Sequence, residues 1–286
     1  MRKPLSFEQE FTRLQPRYIH VLRYIRQALA TDEVQWSDLT RPNLALVADH
    51  IKDSVSPNTA VLYLAIIKSV LNMYKDENLF ACSHPEAVLK ARKAPQQNVA
   101  LTLDELNRII NYYDILSSKL FHQKEKDILT LFLIECLCGA RSCDVANLSL
   151  KNIHGDKLSY VSQKTQTLAV VPVHHLLPTL LQRIPYIDYN RAIKARTIKR
   201  VARLCGISQP VTIFYHGSMQ TRPKYEFLGT HTARRTFASI LAAKGVPLAD
   251  ISQYMAHTSL AMTERYIKTD LQRVSPEAMT FFAEPA

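Results

Sequence analysis

Four short segments in the second half of the chain carry reactive or phosphate-binding side chains without an obvious structural role. The first places Arg141 directly after a long apolar run, and Asp144 follows three residues later, where its carboxylate could orient the guanidinium. The second holds Lys164 in the turn between two β-rich runs, residues 157–162 and 167–173. An arginine supplies a permanent charge and paired N–H donors for a phosphate, and a lysine at a turn can reach a leaving oxygen as general acid.

The third and fourth segments add two histidines, a second arginine and a tyrosine. His231 and Arg234 are three residues apart, so they share one face of a predicted helix. Tyr266 follows His257 by nine residues. A tyrosine can attack a phosphodiester, but its ordinary pKa of about 10 means that it needs help to lose its proton, for which His231 is the candidate. Arginine charges would stabilise the transition state, and His257 would donate a hydrogen bond to the phosphate.

In this order, the motifs resemble those of the tyrosine recombinases, the lambda-integrase-like site-specific recombinases. The matching segments are the G-x-R-x-x-D-x-x-x-L segment that begins at Gly139, the hairpin lysine, the H-x-x-R pair, and the histidine followed nine residues later by tyrosine. The resemblance covers roughly residues 7–270; Ala256 stands where the family most often has glycine. It implies a catalytic set of Arg141, Lys164, His231, Arg234, His257 and the nucleophile Tyr266, with Asp144 as the residue that orients Arg141.

The resemblance implies an enzyme that cuts a specific DNA duplex, holds it by a 3′-phosphotyrosine bond and rejoins it, with no metal, ATP or other cofactor. The sequence shows neither a carboxylate cluster suited to paired Mg²⁺ nor a P-loop motif. Two alternatives stay open, a type IB topoisomerase-like DNA-relaxing enzyme and a catalytically silent DNA-binding regulator. Integration and excision of a mobile element, DNA inversion and chromosome-dimer resolution all stay open as its role.

The charge balance indicates the partner. The chain has 36 Lys and Arg against 25 Asp and Glu, a formal net charge of +11, and the basic excess is concentrated between residues 190 and 235. Such a stripe favours contacts to the phosphates of double-stranded DNA, although a solvated basic helix is the alternative. The expected DNA contacts are Lys194, Arg196, Lys199, Arg200, Arg203, Arg222, Lys224 and Arg235.

The elements that position these residues predict a mainly α fold with a small β-hairpin or sheet. Helices are expected at about 43–53, from 57 onward, and at about 102–114, 127–137, 175–184, 189–205, 231–244, 247–256 and 259–268. Ser56-Pro57 opens the second of these, and Thr102-Leu103-Asp104-Glu105 is a capping-box pattern that opens the third. Residues 127–137 are almost all apolar, which predicts a buried helix that stops at Gly139. The predicted domains are residues 1–93, a linker at 94–101, and residues 102–286. The resemblance implies that the first is a helical, SAM-like core-binding domain and the second the catalytic domain, and that together they form a C-shaped clamp on DNA.

Further expectations concern assembly and location. The sequence has no apolar run near the roughly 18–20 residues that span a bilayer and no signal peptide, so we expect a cytoplasmic, nucleoid-associated protein without a membrane partner. Five cysteines predict ordinary buried or half-buried thiols. The protein is expected to be a monomer when free and a homotetramer on DNA sites with short inverted-repeat cores. Near the C-terminus, Met279, Phe281 and Phe282 either fold back or dock on a neighbouring subunit.

Overall fold

A computed structural model describes residues 5–94, 99–118, 121–185, 189–215 and 218–267 of the chain. The chain divides into two compact units, residues 1–96 with 214–219, and residues 97–213 with 220–286. Helices predominate in both, which confirms the predicted mainly α fold class. The predicted C-terminal cluster of Met279, Phe281 and Phe282 lies outside the described residues. Within the described part of the chain, no helix is long and apolar enough to cross a membrane.

The first unit is built from amphipathic helices around one apolar core. Its helices are α1 (Phe7–Leu14), α2 (Val21–Leu29), α3 (Arg41–Ser54), α4 (Pro57–Met73) and α5 (Pro85–Val88). As predicted, α4 opens after Ser56, whose hydroxyl accepts a hydrogen bond from the Thr59 amide at 3.4 Å, and Pro57 stands in the first turn. The core includes the fully buried side chains of Phe11, Ile51 and Ile67.

The second unit carries every segment that the motifs singled out. Its helices are α6 (Leu103–Ser117), α7 (Gln123–Cys138), α8 (Ser142–Val145), α9 (Leu177–Leu181), α10 (Arg191–Leu204), α11 (Thr232–Ala243), α12 (Leu248–Tyr254) and α13 (Leu260–Ile267). The predicted capping box before α6 forms, with Thr102 N–H donating to Glu105 Oε2 at 2.8 Å and Glu105 N–H donating to Thr102 Oγ1 at 3.2 Å. Helix α7 is buried along most of its length, and α11 packs against α7 and α13.

Two small sheets lie in the second half of the chain. The strands β1 (Ile153–His154), β2 (Lys157–Val161) and β3 (Leu168–Pro172) form an antiparallel sheet in that order, so the predicted hairpin is confirmed. A second pair, β4 (Pro210–Tyr215) and β5 (Ser218–Pro223), was not predicted. Every side chain of β5 contacts solvent. Its sequence therefore has no need of the alternation of apolar and polar residues by which a half-buried strand is predicted.

The five cysteines are free thiols. Cys82, Cys136 and Cys138 are buried and Cys205 is half-buried, as predicted, whereas Cys143 is exposed. Burial raises the pKa of Cys138 to about 12, so this thiol stays protonated and behaves as an apolar core group.

Candidate active site

The end of α7 brings Arg141 to the site. Gly139 ends the helix with φ +67°, and a Cβ there would overlap the Phe237 ring, so both the backbone conformation and the packing require glycine. The chain then turns into extended backbone at Arg141 and starts the short helix α8. The half-buried Arg141 side chain donates from Nη1 to Ser162 Oγ at 2.6 Å.

A buried carboxylate holds both Arg141 and the turn that carries Lys164. Ser162 Oγ donates to Asp144 Oδ2 at 2.9 Å, and the Gln163 amide donates to Asp144 Oδ1 at 2.9 Å. Asp144 therefore contacts Arg141 through the Ser162 hydroxyl, a relay that the motif did not predict. Because Gln163 immediately precedes Lys164, the same carboxylate fixes the start of that turn.

Ser162 is the residue of this relay that sequence reasoning missed. Strand β2 buries Leu158 and Tyr160, and Ser162 follows in the same alternation. It is fully buried although it is polar. A serine in phase with the buried face of a strand needs hydrogen-bond partners, and this alternation is the signal that could have identified it.

Arg234 is anchored between two loops from the buried side of α11. Its Nη1 donates to the carbonyl of Gly139 and its Nη2 to the carbonyl of Met255. Its Nε is buried and has no hydrogen-bond partner among the described residues. Burial and then the charge of Arg141 lower the pKa of Arg234, while Tyr266 opposes the shift by its charge and a hydrogen bond. The Tyr266 hydroxyl therefore lies beside this guanidinium.

The end of α12 presents His257. The Ala256 amide donates to the Gln253 carbonyl at 3.0 Å and the His257 amide to the Ser252 carbonyl at 3.0 Å, which is a Schellman motif. Ala256 takes the left-handed position at φ +47°, so the turn forms although alanine replaces the glycine frequent in the family. The Thr165 hydroxyl donates to the Ala256 carbonyl at 3.3 Å and ties the Lys164 turn to this segment.

His257 and Tyr266 are neighbours, and with Arg141 and Arg234 they form the group of side chains called the pocket below. Their ring centroids are 5.3 Å apart, and Tyr266 is half-buried on α13. Burial, with the charges of Arg234 and Arg141, lowers the pKa of His257 to about 3, so the ring is neutral at physiological pH. His257 Nε2 is buried and has no hydrogen-bond partner among the described residues.

His231 and Lys164 lie at the edge of the same pocket. His231 precedes α11 and is exposed to solvent. Its pKa is lowered, first by partial desolvation of the ring and then by the nearby positive charges of Arg191, Arg235, Arg234 and Lys164. A neutral imidazole next to these cations can accept a proton. Lys164 is exposed at the tip of the turn between β2 and β3.

Glu135 on α7 is a second buried carboxylate, close enough to Arg234 for the charge of that arginine to act on its pKa. It accepts a hydrogen bond from Ser142 Oγ at 2.7 Å. Burial raises the pKa of Glu135 to about 7, and this shift outweighs the opposing effects of the Ser142 hydrogen bond and of the Lys194 and Arg234 charges. The folded protein therefore binds the proton of Glu135 more tightly than the unfolded chain does. The stability gained from this proton is full below pH 4.5 and is lost as the pH rises through about 7.

We predict that Glu135→Gln raises the free energy of unfolding by about 2 kcal/mol at pH 8, because the amide stays neutral in both states. The gain should disappear below pH ~4.5, where wild-type Glu135 is protonated in both the folded and the unfolded chain. Urea unfolding of both proteins at pH 4 and pH 8 measures this difference, with Glu264→Gln on the exposed surface as control. An equal effect of Glu135→Gln at the two pH values would contradict the prediction.

Most of the expected DNA contacts lie on α10. Arg196, Arg200 and Arg203 are exposed there, although Arg200 also pairs with Glu125, and Lys194 and Lys199 are half-buried. Outside α10, Arg222 pairs with Glu226 at 3.5 Å, and Arg235 is half-buried with its charge beside Tyr266.

Lys224 departs from the expected set. Its ammonium donates to Glu105 Oε2 at 2.6 Å, and both side chains are buried, with 9% and 3% exposure. The Gln209 amide donates to the other oxygen of the same carboxylate. Lys224 therefore neutralises a buried acid in this structure and presents no charge to DNA, which corrects the prediction made for this residue.

Lys224→Met is expected to lower the free energy of unfolding by about 3 kcal/mol, because it leaves Glu105 buried without its partner. The salt dependence of DNA binding should not change. The matched variant Arg196→Gln removes an exposed charge, so it should leave stability unchanged and lower the salt slope by about one. Urea unfolding and binding titrations at several salt concentrations measure the two effects, and the reverse pattern would refute the assignment.

The chain is similar to known proteins over most of its length. The sequence model of the phage integrase family matches residues 100–273. Tyrosine recombinase XerC of Rickettsia bellii (strain RML369-C) is 22% identical over 224 residues, which cover 75% of this chain and 71% of that protein. Tyrosine recombinase XerC of Thermodesulfovibrio yellowstonii is 24% identical over 244 residues, which cover 80% of this chain and 77% of that protein.

Solved structures share the fold. A lambda integrase tetramer bound to a Holliday junction matches 96% of this chain and 80% of its own, with a TM-score of 0.66 and 15% identity. XerH site-specific recombinase bound to a palindromic difH substrate matches 94% of this chain and 80% of its own, with a TM-score of 0.66 and 16% identity. The resemblance predicted from the order of the motifs is thereby confirmed, and the chain belongs to the phage integrase family, the tyrosine recombinases that break and rejoin DNA strands.

Proposed function

We propose that Tyr266 is the nucleophile of this recombinase. Its phenolic oxygen attacks a DNA phosphorus, the bond from phosphorus to the 5′-oxygen breaks, and the phosphate stays on the protein as a 3′-phosphotyrosine. His231 takes the phenolic proton and Lys164 supplies one to the departing 5′-oxygen. Attack by the 5′-hydroxyl of a partner strand reverses the step, so the covalent bond conserves the energy of the cut and no ATP is needed.

One observation carries this assignment of roles. Beside Tyr266, the pocket holds two buried nitrogens, His257 Nε2 and Arg234 Nε, that have no hydrogen-bond partner among the described residues. Buried polar groups normally have partners, so these two indicate a ligand. With Arg141 close enough to lower the pKa of both neighbours, the ligand that fits is an anion that accepts hydrogen bonds, as a phosphate does. The two arginines then stabilise the charge that develops on its oxygens.

The proposed partner is double-stranded DNA with short inverted-repeat core sites. Lambda integrase has been solved on a core site and XerH on a palindromic substrate, which supports this choice. Two strand exchanges between two duplexes need four active sites, so we propose a homotetramer on DNA and a monomer in its absence; the lambda integrase tetramer on a Holliday junction supports the assembled state. The clamp formed by two domains on DNA stays a prediction.

Trapping the covalent intermediate tests the function. Genomic fragments that bind immobilised protein are sequenced to find the site, and the site is rebuilt as a duplex with a nick close to the cleaved bond. The short 5′-hydroxyl fragment then diffuses away and the adduct accumulates. We expect an adduct that survives denaturation, joined to the DNA 3′ end, with the modified peptide containing Tyr266. A 5′ linkage, or attachment at another residue, would refute the proposal.

A plasmid assay with the same protein distinguishes site-specific cleavage from general relaxation of supercoiled DNA. Supercoiled plasmid that carries the site should form the adduct, and plasmid that lacks it should stay supercoiled. Relaxation of both at equal rates would identify a topoisomerase-like enzyme instead.

A further inference from the structure

Thr263 makes a buried hydrogen bond to the histidine beside Tyr266. Its Oγ1 lies 2.8 Å from His257 Nδ1. Thr263 is fully buried on α13, and His257 is 8% exposed. Water therefore does not compete for this contact, and the two atoms are fixed partners.

The position of the single ring proton decides what His257 can do. The ring is neutral, because burial and the charges of Arg234 and Arg141 oppose its protonation. A neutral imidazole has one N–H and one acceptor nitrogen. A hydroxyl can serve either nitrogen role, so the Thr263 contact allows two tautomers, one with the proton on Nδ1 and one with it on Nε2.

The surroundings of the other ring nitrogen, Nε2, select between these two tautomers. His257 Nε2 is buried without a partner among the described residues, in the pocket proposed to receive the phosphate. The non-bridging oxygens of a phosphodiester only accept hydrogen bonds. A proton on Nε2 would satisfy such an oxygen, whereas a lone pair on Nε2 would repel it.

We propose that Thr263 is a positioning residue, whose hydroxyl donates to His257 Nδ1, keeps the ring proton on Nε2, and so makes His257 a hydrogen-bond donor to the DNA phosphate. This inference rests on the proposed roles of His257 and Tyr266. It adds a residue that the motifs did not identify.

The placement of Thr263 also connects the nucleophile to this donor. Thr263 and Tyr266 are three residues apart on α13, so they lie on neighbouring positions of one helix face. The Ser239 hydroxyl donates to the Tyr266 carbonyl at 3.2 Å and holds the same helix against α11. The same short helix therefore places the phenol and orients the histidine.

Two substitutions separate the hydroxyl from the shape of the side chain. Thr263→Val keeps the branched shape and loses the hydroxyl, and Thr263→Ser keeps the hydroxyl. On the nicked substrate, we expect Thr263→Val to slow single-turnover cleavage roughly 10–100-fold, the range found when partners that orient metal-bound histidines are removed. Affinity for the intact site should stay unchanged, and Thr263→Ser should cleave within about threefold of wild type. If the serine variant were as slow as the valine variant, the hydroxyl would not be responsible.

A double-mutant cycle tests whether the effect acts through His257. In a His257→Gln background, Thr263→Val should cause little further loss, because its partner is already absent. Losses that multiply would show that Thr263 acts on cleavage by another route, and they would overturn the proposal.

Nitrogen NMR of the wild-type protein gives a readout that needs no cleavage activity. Protein labelled with ¹⁵N-histidine, with the His257 signals assigned by their loss in His257→Gln, should show a proton on Nε2 and a hydrogen-bonded Nδ1. A proton on Nδ1 would overturn the proposal whatever the Thr263 variants do. The absence of any adduct with wild-type protein would instead refute the proposed function and leave this measurement valid.

Discussion

Tyr266→Phe is expected to abolish the covalent protein–DNA adduct while it preserves DNA binding. The substitution removes one oxygen, the atom that would bond to phosphorus, and leaves the ring that packs 5.3 Å from His257. Loss of a catalytic nucleophile costs at least about 10⁴-fold in rate. Denaturing gels of the nicked substrate measure the adduct, and gel shift with intact duplex measures binding.

The matched control is Tyr254→Phe, which removes a phenolic oxygen at the end of α12, outside the motif spacing. This variant should form the adduct at close to the wild-type rate. An adduct that persisted in Tyr266→Phe and vanished in Tyr254→Phe would move the nucleophile to α12 and refute the assignment built on the nine-residue spacing from His257.

The local parts of the fold were predictable from the sequence. Ser56 and Thr102 were identified as helix-starting residues because a hydroxyl there satisfies an amide within three residues, and both hydrogen bonds form. The almost entirely apolar run at 127–137 predicted a buried helix that stops at Gly139, and α7 is buried and ends at Cys138 with Gly139 as its cap. In each case the interaction that decides the structure lies within one helical turn.

Longer-range contacts could not be predicted in this way. From the sequence alone, Lys224 is predicted to be one more cation of the basic stripe at 190–235. Only the fold brings it to Glu105, 119 residues away. The capping box predicted where Glu105 starts a helix, but not that burial of its carboxylate would require a cation. The physical cause is the cost of an unpaired buried charge, which no local pattern expresses.

In the candidate site, too, some residues were predictable from the sequence and others were not. Its motifs marked the groups proposed to touch the phosphate, since arginine, histidine and tyrosine have distinctive chemistry at recognisable spacings. Ser162 and Thr263, which hold those groups, have common side chains and act through partners 21 and 6 residues away. The alternation of β2 marks Ser162 as buried, but the partners of both residues, and so their roles, follow only from the structure.

Arg141→Ala is expected to lower the rate of strand cleavage by about 10³-fold, since it removes donors aimed at charge that develops in the transition state. The side chain is half-buried, so the fold should persist. Affinity for the site should fall much less, because one phosphate contact among many is lost. Arg141→Lys restores the charge but not the paired donors, and should recover only part of the rate. Single-turnover cleavage with saturating protein separates rate from binding.

Ser162→Ala completes this prediction, because it leaves Arg141 charged and removes the oxygen that joins it to Asp144. We expect a loss of about tenfold, the scale of one buried hydrogen bond. In the double variant with Arg141→Ala, the serine should matter little for this arginine, so the combined loss should stay close to that of Arg141→Ala alone. Any remaining effect of Ser162→Ala would measure what Asp144 does for the Lys164 turn through Gln163. Losses that multiplied in full would show that Ser162 acts on cleavage without Arg141, and the relay would be refuted.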